Sequence, residues 1–105
     1  MRRGRRLHRT DTGHRELLAD LERFGFTVID LSGVGDDCPD AAIGRQGVTC
    51  LLEIKTPYGL SGEYRVSEGQ RALADAWRGT PIIFGHKAES VAKEFMKICR
   101  HIRYL

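Results

Sequence analysis

The 105-residue chain has three cysteines, Cys38, Cys50 and Cys99, and no two of them stand at CxxC spacing. No histidine lies at zinc-finger distance from them either. A disulfide framework and a structural zinc site are thereby excluded, leaving reduced thiols with Cys50 in the core. The longest apolar runs extend over a few residues, far short of the roughly 20 that a membrane-crossing helix needs. Arg2, Arg3, Arg5, Arg6 and Arg9 crowd the start of the chain, but no apolar segment follows them, so they do not read as a secretion signal. There is no internal repeat and no low-complexity tract beyond this start. These absences give a cytoplasmic protein with no membrane contact as the expectation.

What is present suffices for one domain and no more. Hydrophobic residues make up 41% and charged residues 30%, a balance that permits a packed core. The net charge of +3 favours polyanionic partners, but the arginine-rich start carries the excess and the remainder is close to neutral. Residues 1–12 read as a flexible basic arm and residues 13–105 as a single domain. So small a chain has a thin stability margin that dimerisation would widen.

Leu17, Leu18, Leu21 and Phe24 recur at helical spacing, which predicts a helix over His14–Phe24 stopped by Gly25. Phe26–Leu31 is β-branched and apolar, a first strand, and Ser32–Asp40 is a turn-rich loop. Asp40–Gly44 and Val48–Lys55 read as two strands joined by a short RQG hairpin connection. Thr56–Arg65 is a polar loop. A second helix over Ser67–Trp77 opens on S-E-G-Q, a capping box of Ser67 and Gln70, with Leu73, Ala76 and Trp77 on one side. Pro81–Gly85 is a short buried strand, and Glu89–Cys99 a third helix through Ala92, Phe95, Met96 and Cys99. Trp77 and Phe84 are expected in the core. Helix, three strands, helix, strand, helix implies an α/β layer structure with a mixed sheet, Val48–Gly85 forming a parallel crossover.

Chemistry concentrates in CPDAAIGRQGVTCLLEIK. Alternation along the strand sends Thr49, Leu51, Glu53 and Lys55 to one face. Pairing with the preceding strand brings Asp40 beside Glu53, so two carboxylates and an ammonium converge at one sheet edge. Hard oxygen ligands of this kind select Mg²⁺, which keeps waters and also accepts phosphate oxygens. That combination suits phosphodiester hydrolysis, with Lys55 positioning the attacking water or offsetting charge in the transition state.

The PDAAIG and CLLEIK segments, followed by VSEGQRALADAWRGTPIIF, resemble the PD-(D/E)xK nuclease superfamily. The likeness is to its short stand-alone phage members of the VRR-NUC and Holliday-junction-resolvase kinds, and covers about Glu16–Phe84. It implies a restriction-endonuclease-like α-β-β-β-α-β core, with the last helix added at the C-terminus. It implies that Asp40 and Glu53 are metal ligands helped by the backbone carbonyl of Ile54, and that Lys55 is the motif lysine. Glu16 matches the acidic residue of the first helix, which reaches a metal through water, and Gln70 the polar residue of the second. The cofactor would be Mg²⁺, with Mn²⁺ able to substitute. The products would carry a 5′-phosphate and a 3′-hydroxyl. The expected activity is a DNA endonuclease acting on branched or structured DNA in recombination or repair, as a homodimer that pairs two cuts.

The arginines of the arm, together with Tyr58, Tyr64 and Arg65 in the polar loop, are the candidates for touching DNA. His14, close to Glu16, is a further candidate for phosphate. Alternatives remain: the same fold as an inactive nucleic-acid-binding module, RNA as the substrate, or a small interaction protein whose Glu53–Lys55 pair is a surface salt bridge.

Overall fold

The computed structural model describes residues 8–56 and 64–103, with side-chain environments from Gly13 onward. Its elements run α1 (His8–Arg23), β1 (Thr27–Asp30), β2 (Ala41–Arg45), β3 (Val48–Ile54), α2 (Glu68–Ala76), β4 (Ile83–Gly85) and α3 (Ala88–Arg103). The order is the one expected, and the chain is a small α/β fold.

Each element forms for a local reason. Leu17 and Leu21 share the buried stripe of α1, and Gly25, at φ +96°, takes the left-handed conformation that ends a helix cheaply only at glycine. Arg45 and Val48 pair across a two-residue turn in which Gln46 and Gly47 both have positive φ, +56° and +82°. That turn matches the twist of the strands it joins. Ser67 caps α2 with both halves of the capping box made: Gln70 N–H donates to Ser67 Oγ and Ser67 N–H to Gln70 Oε1, each at 3.1 Å.

The four strands form one mixed sheet in chain order. β1–β2 and β2–β3 are antiparallel, while β3 and β4 are parallel with Leu52 opposite Ile83. One sheet face carries Ala41, Ile43, Cys50 and Leu52 against α1 and α3, whose Leu21, Val91, Phe95 and Cys99 complete the core. Phe26 meets Phe95 edge-on at 4.8 Å. Burying each large side chain of this set contributes about 1.5–3 kcal/mol. The cysteines are free thiols, Cys50 and Cys99 buried and Cys38 half-buried. Among the described residues no helix is long and apolar enough to cross a membrane.

Several boundaries differ from the sequence expectation. α1 starts at His8, so the last five residues assigned to a flexible arm are helical. A started helix extends through polar residues at little cost, and such a stretch shows no apolar stripe. α3 reaches Arg103 and buries Ala88, Val91, Phe95 and Cys99, with Ala92 and Met96 only partly covered. Asp40 and Lys55 lie just outside their strands, and Pro81 and Ile82 precede β4. The largest difference is α2, which buries no residue. Trp77, expected in the core, is 43% exposed. Ile29 on β1 is likewise 59% exposed.

Candidate functional site

The topology gathers the chemistry-bearing residues at one edge of the sheet. β1 ends there at Asp30, β2 begins there after Asp40, and β3 and β4, being parallel, both end there at Glu53–Lys55 and Gly85–His86. Lys55 N–H donates to the carbonyl of Gly85 at 2.8 Å, so the β3–β4 ladder holds the backbone of the motif lysine.

The register pairs Ala41 with Leu52, which sets Asp40 across from Glu53. Asp40 uses one carboxylate oxygen structurally: Oδ2 accepts the Ile54 N–H at 2.8 Å, replacing a ladder partner where β2 has not yet begun. Glu53 is 7% exposed, the one charged residue among the buried side chains described. Gln70 Nε2 donates to Glu53 Oε2 at 2.9 Å. A single glutamine thus closes the capping box through its carbonyl and reaches the site through its amide.

Burial pushes the Glu53 carboxyl up from 4.5 to about 7, with further upward pressure from the charge of Asp40, a hydrogen bond shared with it, and the charge of Asp37. Lys55 opposes the rise. Two carboxyls close enough to share a proton, one of them out of water, make a place where a cation relieves both repulsion and desolvation.

Lys55 also lines a cleft of about 520 Å³ between α1 and the start of α3, together with His14, Glu16, Asp20, His86 and Lys87. Glu16 therefore lines the same cleft as Lys55, whereas Asp40 and Glu53 are not among the residues lining it. His14 lies near Asp30, whose carboxyl is held below its usual range chiefly by the Ser32 hydroxyl, with the His14 charge a minor contribution. Tyr64 sits edge-on to His86 at 6.3 Å, and Arg65 is exposed. Arg2, Arg3, Arg5, Arg6 and Tyr58 lie outside the described residues. Arg9 falls on the first turns of α1.

Three residues at this edge escaped the sequence reading. His86 and Lys87 follow β4 directly, and a strand parallel to the ExK strand must end at the same edge, so that signal was available. Asp37 had no such signal, being one acid in a turn-rich loop. Its carboxylate lies against Gly69 of α2.

The donors suit a small hard cation. Asp40 and Glu53 offer oxygen donors, and each has one oxygen engaged by the protein. Among the described residues no three His, Cys, Asp or Glu side chains converge as a complete ligand set. A cation here would fill its remaining positions with backbone carbonyl, water or substrate oxygens, which is the habit of Mg²⁺.

No known family model matches the chain, and no characterised protein or solved structure is significantly similar to it.

Proposed function

We propose that the chain is a divalent-metal-dependent nuclease of the PD-(D/E)xK type, hydrolysing phosphodiester bonds in branched or structured DNA. The observation that carries this reading is a buried Glu53, 7% exposed, set against Asp40 at a sheet edge with Lys55 beside them. Two facing carboxyls, one of them buried, repel each other and resist ionisation, and a bound cation would offset both costs. The order of elements, helix, three strands, helix, parallel strand, is compatible with a restriction-endonuclease-like core and supports the same reading.

Asp40, Glu53 and the carbonyl of Ile54 would hold Mg²⁺ or Mn²⁺. Bound there, the metal supplies Lewis-acid polarisation of the phosphate and a more acidic water. The chain's own residues provide the rest. Gln70 fixes the orientation of Glu53, and the Ile54 N–H fixes that of Asp40. Lys55 brings a positive charge to the phosphate and orients the attacking water. Glu16 reaches the cleft from α1, where a water or a second ion would be in range. The Arg-rich start, Arg65, Tyr58 and Tyr64 are proposed DNA contacts, and a homodimer would pair two cuts.

A second reading, a nucleic-acid-binding module without activity, draws on the bonds from Ile54 and Gln70, which satisfy one oxygen of each acid without a cation. Incubating labelled Holliday-junction, flap, single-stranded and duplex DNAs with Mg²⁺ or Mn²⁺ separates the two. Metal-dependent cutting by the wild type, lost in Glu53→Ala, supports the nuclease. Binding of DNA with no cutting of any substrate supports the module.

A further inference from the structure

The amino end of α2 is held in an unusual way. The helix buries no residue fully, and Gly69, Gln70, Leu73 and Ala74 are only half-covered, so packing holds it weakly. Gln70 reaches Glu53 from its first turn, and the Asp37 side chain lies against that turn. A Cβ built on Gly69 would lie 2.0 Å from Asp37 Oδ2 and 2.5 Å from Asp37 Cγ. Only glycine at position 69 leaves that volume to the carboxylate. Gly69 stands between the N-cap Ser67 and Gln70, in the turn whose backbone N–H groups have no intrahelical acceptor and whose dipole favours negative charge.

We propose that Asp37 is a positioning residue: its carboxylate, seated on Gly69 at the amino end of α2, holds the helix where Gln70 reaches Glu53. The effect on cleavage rests on the nuclease reading above; the seat itself does not. Its sign distinguishes it from ordinary helix energetics. Replacing glycine by alanine within a helix normally firms the helix. Here the added methyl takes the space of the carboxylate and loosens the turn instead.

The test uses the full chain and the variants D37N, G69A and D37N/G69A, each also in a Q70A background. The first readout is the Gln70 side-chain amide, its NMR shift and hydrogen exchange. D37N should lower occupancy of the Gln70–Glu53 bond by about two- to five-fold, the range for a charge at a helix N-terminus, and G69A should lower it as well. The double variant should be no worse than the worse single, because both remove the same contact. Where the wild type cuts DNA, kcat should fall in parallel, and in the Q70A background neither substitution should change it further. A firmer Gln70 bond in G69A, or additive losses in the double variant, would overturn the seat. If the wild type cuts nothing while the amide behaves as expected, the seat stands and the nuclease reading alone fails.

Discussion

Replacing Glu53 by Gln keeps the shape of a buried carboxyl and removes its ability to ionise. In the folded chain the Glu53 carboxyl titrates near 7 instead of 4.5, a rise worth about 3 kcal/mol at about 1.36 kcal/mol per pH unit. The sign follows from proton counting: between these values the folded chain holds a proton that the unfolded chain has released. Wild-type stability therefore falls as pH rises through that window and levels off above it. The E53Q variant lacks this slope. Below pH 4.5 the two proteins should agree to within about 1 kcal/mol, the scale of one altered hydrogen bond. At pH 8 the variant should be the more stable by on the order of 3 kcal/mol, equivalent to roughly 10–20 °C in a domain of this size. Thermal and urea unfolding from pH 4 to 9 in EDTA gives the comparison, and titrating groups remote from Glu53 cancel in the difference. A variant no more stable than wild type at pH 8 would refute the burial and the carboxyl pairing on which the site is built.

Other expectations are simpler. Asp40→Ala strands the Ile54 N–H and should cost about 1–3 kcal/mol in urea unfolding, whereas Asp40→Asn keeps an acceptor and should stay within about 1 kcal/mol of wild type. Ser67→Ala removes the cap of α2, worth about 1 kcal/mol locally. Hydrogen exchange should quicken over Glu68–Ala76 while the global melting temperature barely moves, because that helix buries nothing. Phe95→Ala empties a fully buried position and should cost about 3–5 kcal/mol, enough to leave so small a domain largely unfolded by circular dichroism.

The sequence made the architecture legible where two periodicities were clean. Leu17 and Leu21 marked a helix, alternation through Cys50, Leu52 and Ile54 marked the central strand, and S-E-G-Q marked the start of α2. The hairpin was legible in RQG, but its turn is the two residues Gln46 and Gly47 with Arg45 still in β2, and that register sets Asp40 across from Glu53. Illegibility had two sources. Side-chain pattern gives the apolar side of a helix but not whether anything covers it, so Trp77 read as core while it is 43% exposed. The same pattern hides polar helical turns, which is why α1 begins earlier than its stripe. Asp37 was unreadable for a different reason: its importance lies in a contact with Gly69, 32 positions further along, and glycine leaves no hydrophobic or charge signature.

The central claim is that Asp40 and Glu53 together hold a divalent cation, and Mn²⁺ titration calorimetry at pH 8 on wild type, D40N and E53Q tests it most directly. Wild type should bind Mn²⁺ saturably, both variants should lose that binding, and near pH 6.5 wild-type binding should release a proton from Glu53, seen as a heat that changes with the buffer. A wild type that binds no Mn²⁺, or variants that bind it as well as wild type does, would contradict the account.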